Sequence, residues 1–171
     1  MKTIIEKSRY NYIDFLSLAI HLLICLFLWT IYKYDLIEIG KVKTLTNFYF
    51  FMIPLLLIGL MFRNLRDTRF YIIWTIVGLI QLFIFFLVKD NPDFYFPRGT
   101  AFDGLKALLP VLIMFQILRQ ISLRVYKREM VISIRQYRMS WYEEEESRNM
   151  TWIEVLFSMI LLGTSITFCV I

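Results

Sequence analysis

A single histidine and two cysteines are all the imidazole and thiol that these 171 residues possess. No complete Cys/His zinc set can form within one chain. A bis-histidine haem would need a second copy to supply the other imidazole. Cys25 and Cys169 fall inside different apolar blocks at different expected depths, so they make no disulfide framework. The patterns that mark nucleotide hydrolysis, serine hydrolases, zincins and dinucleotide binding are missing as well. With four prolines, six glycines and only short polar connectors, nothing remains for a separate catalytic domain. The chain is therefore read as a non-enzyme, with no catalytic, cofactor or metal residues to assign.

What the chain does have is apolar length. Its hydrophobic fraction is 58%, its mean hydropathy +0.61 and its phenylalanines number 16, against roughly 45 to 50% apolar residues in soluble domains. The apolar residues gather in blocks at 13–32, 45–62, 70–88, 105–121 and 151–171, each about 17 to 21 residues, near the length that crosses a bilayer core as helix. The expected fold is an all-α integral membrane protein, a bundle of five transmembrane helices in one membrane domain over 1–171. The first block has no small-residue cleavage site where Leu26 to Trp29 stand, so it stays as a helix.

Nineteen Lys and Arg stand against 14 Asp and Glu. They flank the blocks, where anchoring to anionic lipid explains them and nucleic acid does not. With the N-terminus inside, thirteen of them fall on the inner face and six on the outer. The positive-inside rule then places the N-terminus in the cytoplasm and the C-terminus outside it. This is the pattern of a multi-pass protein of a bacterial inner membrane or another membrane facing the cytoplasm.

Within the blocks, Thr44, Thr46 and Asn47 shorten the second, which makes it the candidate for a re-entrant segment. Pro54 and Pro110 are expected to kink their helices, and Gly59 and Gly78 to allow close backbone approach. The connector Arg63 to Arg69 predicts a tight antiparallel hairpin of blocks two and three. Aromatic residues Phe94, Tyr95 and Phe96 predict an interfacial lid on the outer face. Asp103 is expected to cap block four, Lys106 to snorkel outward, and Glu154 to complete a capping box with Thr151.

One polar stripe survives these explanations. Asp14, Ser17, His21 and Cys25 lie at offsets of three, seven and eleven, within roughly 80° of arc on a helix. Such a face belongs against another helix, with Gln81 and Gln116 as partners deep in the membrane. Gly163 and Thr167 predict close packing of the last helix, within the chain or against a partner.

The connector 122–150 is the one long polar stretch. Met130, Ile134, Tyr137 and Trp141 recur at helical spacing and Glu143, Glu144, Glu145 and Glu146 follow them, an amphipathic surface suited to docking a partner. Period-two alternation in Ile121 to Val125 also fits a hairpin strand.

Three functions fit this inventory. The first is a non-catalytic anchoring or scaffold subunit of a larger membrane complex, such as a secretion, envelope-spanning or respiratory assembly. The second is a small oligomeric transporter or channel using the Asp14/His21 stripe. The third is a lipid-modifying enzyme using dispersed carboxylates. Expected partners are other membrane subunits or a second copy, and lipid.

Overall fold

The computed structural model describes residues 12–62, 64–96, 100–127, 129–130 and 152–170, with the side chains of 12–14 and 169–170 excepted. Every regular element among them is helical, the one extended feature being an isolated antiparallel bridge between Tyr95 and Thr100. Among the described residues there are five α-helices: α1 (Tyr12–Lys33), α2 (Ile39–Met61), α3 (Thr68–Val88), α4 (Leu108–Ile121) and α5 (Trp152–Val170). Four helical stretches are long and apolar enough to cross a membrane, namely Phe15–Lys33, Ile39–Met61, Thr68–Val88 and Asp103–Tyr126. The apolar stretch Trp152–Phe168 is shorter.

Local chemistry sets the helix ends. Asp35 takes a left-handed φ of 47° just beyond α1, and the Leu36 amide donates back to the Ile31 carbonyl at 3.3 Å, closing free carbonyls at the helix end. Asp67 caps α3, its carboxylate accepting from the Arg69 amide at 2.8 Å.

Block two is not the broken one. α2 runs 23 residues through Thr44, Thr46 and Asn47. The Thr44 hydroxyl donates to the Gly40 carbonyl and Thr46 is buried, so neither hydroxyl meets lipid unpaired.

The span that changes character along its length is the fourth. Its α-helix is only 14 residues long and is preceded by a 3₁₀ turn at Asp103–Lys106. Pro110 sits in the first turn of α4, where a missing N–H leaves no bond unmade, so it starts the helix instead of kinking it. The 3₁₀ turn lies deep in the bundle, packed on α2, α3 and α5. A Cβ on Gly104 would come within 2.8 Å of the Phe50 backbone and Cβ. Phe50 lies seven residues past Lys43, about 10 Å along α2. Pro54 lacks the amide that would bond the Phe50 carbonyl, and Gly104 adds no side chain to the close approach.

The short turn at Asn64–Arg66 joins α2 to α3 as predicted, but the 3₁₀ turn and α4 pack against both helices and fill the space between them. Gly78 permits part of this, since a Cβ there would touch Leu109 at 3.4 Å, whereas Gly59 faces open space. Phe50, Ile58, Phe62, Trp74, Leu108, Phe115 and Leu161 form the centre of one core. The large apolar side chains left exposed on α1 and α3, such as Phe15, Leu23, Phe83 and Leu87, form faces suited to lipid.

Candidate functional site

Three polar centres lie along the bundle. The middle one is built on His21, halfway along α1 and 5% exposed. Its Nδ1 lies 2.8 Å from the Tyr49 hydroxyl, and its Nε2 lies 3.2 Å from Gln81 Nε2. The Tyr49 hydroxyl in turn lies 3.4 Å from the His21 carbonyl. One assignment satisfies all three contacts. Gln81 donates to Nε2, Nδ1–H donates to Tyr49, and Tyr49 donates to the carbonyl, which describes a neutral imidazole. Cys25 Sγ stands 3.8 Å from Nε2, and the Trp74 ring tilts against the imidazole at 5.5 Å between centroids. The Trp74 indole N–H is buried and has no partner among the described residues.

This centre joins α1 to α2 and α3. It contains His21, Cys25 and Gln81 of the residues picked from sequence. Ser17 is partly buried on the same helix, and the side chain of Asp14 lies outside the described residues. Gln116 is elsewhere, its amide oxygen buried on α4 without a partner among the described residues. Tyr49 and Trp74 were missed because each reads as one more aromatic residue in an apolar block. The available signal was Thr46 and Tyr49, three apart on one face of block two.

The second centre closes the end of α4. A π turn at Ser122–Tyr126 extends the helix, and Lys127 then reverses the chain with a left-handed φ of 55°. Glu129 thereby returns to Arg119, which donates from Nη2 at 2.8 Å and Nε at 3.1 Å. Arg66, from the turn between α2 and α3, donates to the Met130 carbonyl at 2.6 Å and stacks over Phe62. Burial works to raise the Glu129 carboxyl, but the hydrogen bonds from Arg119 and the charges of Arg119 and Arg66 hold it below the usual carboxylate range.

Met130 corrects one expectation directly. It is 2% exposed inside the core, so it is not free to dock a partner. The remaining docking candidates, Ile134, Tyr137, Trp141 and Glu143 to Glu146, lie outside the described residues.

The third centre is the 3₁₀ turn before α4. Lys106 donates to Asp103 at 2.8 Å and lies over the Phe85 ring, with both charged side chains largely buried. The Thr100 amide donates to the other Asp103 oxygen. Lys106 therefore turns inward to its own carboxylate instead of snorkelling outward. Above it the expected aromatic cap is present in part, with Phe94 against Tyr32 and Phe102 at 4.8 and 4.5 Å. Gly163 and Thr167 are both exposed, so their close packing is not made within the described chain. Among the described residues no three His, Cys, Asp or Glu gather where they could hold a metal ion.

No known protein family, no curated protein and no solved structure matches the chain.

Proposed function

We propose that this chain is a five-span membrane protein, N-terminus in the cytoplasm and C-terminus outside, serving as a non-catalytic anchoring or scaffold subunit of a larger membrane assembly. The observation that carries the reading is the His21 centre. Its polar groups hydrogen-bond one another across three helices, which is how buried polar residues act when their work is helix association. The exposed small residues Gly163 and Thr167 on α5 supply a surface for a neighbouring subunit, and the acidic sequence of the connector suits a second contact. The positive-inside count supports the orientation.

A transporter or channel is the second reading, favoured by the partly buried Asp103–Lys106 ion pair at the 3₁₀ start of the fourth span, since ionisable groups inside a membrane bundle often line transport paths. The lipid-enzyme reading gains nothing comparable. Of its candidate carboxylates Asp67, Asp90, Asp93 and Asp103, Asp67 lies about 30 Å of helix from the others, and Asp103 is paired with Lys106.

Extraction in mild detergent followed by native mass measurement tests the proposal. Companion chains bound at fixed stoichiometry are expected. A monodisperse monomer would overturn the scaffold role, and a closed homo-oligomer passing ions in liposomes would establish the second reading.

A further inference from the structure

His21 and Cys25 stand four residues apart on α1, which stacks them one turn apart on the face that meets Tyr49 of α2 and Gln81 of α3. Cys25 Sγ lies 3.8 Å from His21 Nε2, so a sulfur and a nitrogen converge.

Donors outnumber acceptors at this centre. With Nδ1–H given to Tyr49, Nε2 keeps a single lone pair. Two donors stand at it, the Gln81 amide at 3.2 Å and the Cys25 thiol at 3.8 Å. A third donor, the buried indole N–H of Trp74, has no partner among the described residues, although its ring lies against the imidazole. Loss of the thiol proton corrects the imbalance, because a thiolate accepts where a thiol donates. A bare thiolate inside a membrane bundle is costly, and a cation bound to it removes that cost.

We propose that His21 Nε2 and Cys25 Sγ form a site for a soft monovalent cation, Cu(I) or its analogue Ag(I), inside the polar centre shared by α1, α2 and α3. Binding exchanges a proton for the ion. The S–H bond breaks, bonds from the ion to sulfur and to nitrogen form, and the proton leaves to water, so the centre stays neutral. The site goes beyond the anchoring role and does not depend on it.

Geometry and charge select the ion. With metal–nitrogen and metal–sulfur bonds of about 2.0 and 2.3 Å, a separation of 3.8 Å closes at an angle of about 120°. That is wider than tetrahedral and suits an ion with few ligands. Thiolate favours Cu(I) and zinc among biological metals. Zinc fits poorly, since no third His, Cys, Asp or Glu joins the pair among the described residues and a divalent ion would leave net charge in the bundle. Tyr49 fixes the tautomer from the far side of the ring, as the outer partners of ligating histidines do. Gln81 releases the lone pair by turning its amide over, which brings its oxygen toward the ion. Cys25 is only partly buried, and this leaves the ion a way in.

Anaerobic titration of the full chain in detergent with Cu(I), against a colorimetric Cu(I) chelator, tests the site. One ion held per chain is expected, with one proton released for each ion bound. Cys25→Ser, His21→Ala and Tyr49→Phe should each weaken retention by about tenfold or more, whereas Cys169→Ser, at the other cysteine, should leave it unchanged. X-ray absorption of the loaded protein should show one sulfur neighbour and one imidazole. Ag(I) should quench tryptophan emission in the wild type and much less in Trp74→Phe. Complete loss of copper from the wild type to the chelator would overturn the proposal. So would wild-type retention in Cys25→Ser, a variant whose thermal unfolding shows whether it is folded, or Zn(II) held as tightly as Cu(I).

Discussion

Gly104 and Gly59 are both glycines in apolar surroundings, yet the structure sets them opposite tasks. A methyl group on Gly104 would strike the Phe50 backbone at 2.8 Å, and backbone cannot rotate aside as a side chain can. Gly104→Ala is expected to destabilise by about 1 to 3 kcal/mol, the usual range for overpacking. Gly59→Ala meets nothing within 4 Å and removes a flexible helical position, so it should be neutral or gain about 0.5 to 1 kcal/mol. Thermal unfolding of the two variants side by side in one detergent checks the contrast. Equal melting temperatures would show that the 3₁₀ turn does not press on α2. The distinction was not legible in sequence, because both glycines simply permit close approach and only the neighbour decides whether it occurs. His21 was more legible, as a lone imidazole in an apolar block must find partners inside the protein. Tyr49 was not, since its ring matches the lipid-compatible residues around it and only its hydroxyl belongs to the polar centre.

Among the elements, α4 shows a change of helix type within one span: the chain enters as the 3₁₀ helix Asp103–Lys106 and continues as α4, with Pro110 in the first turn, where a missing amide costs no bond. At the other end of α4, the reversal at Lys127 is held by the Arg119–Glu129–Arg66 cluster. Because Glu129 titrates below its ordinary value of 4.5 when folded, its contribution is complete above that value and is lost as pH falls through the lower folded pKa. The stability difference between wild type and Glu129→Gln should therefore be constant from neutral pH down to about pH 5 and vanish in stronger acid. Amide exchange of residues 127–130 measured across that range reads the effect locally. Protection that is the same in both proteins at neutral pH would show that the cluster does not hold the reversal.

For the whole molecule, the decisive quantity is how many times the chain crosses. On the proposed topology, single cysteines at Tyr95, in the connector after α3, and at Asn64, in the α2–α3 turn, should react with an impermeant thiol reagent from opposite sides of sealed vesicles. A cysteine added after Ile171 should react from the same side as Tyr95→Cys. Labelling of the added cysteine from the Asn64→Cys side would place both termini together and leave four crossings, with α5 lying elsewhere.

Apolar run length is a property of the chain itself, so the sequence alone determined that the described residues are helical, about where their five α-helices lie, and that at least four helical stretches are long and apolar enough to cross a membrane. Burial against lipid needs no particular partner, and that is why these features survive without tertiary information. Only the tertiary structure decided that the fourth span begins as 3₁₀ helix, that Lys106 pairs with Asp103, that Met130 belongs to the core, and that His21 meets Tyr49 and Gln81. Each of these depends on which neighbour arrives at a given depth. Residues far apart in sequence set that through packing, and no local pattern records it.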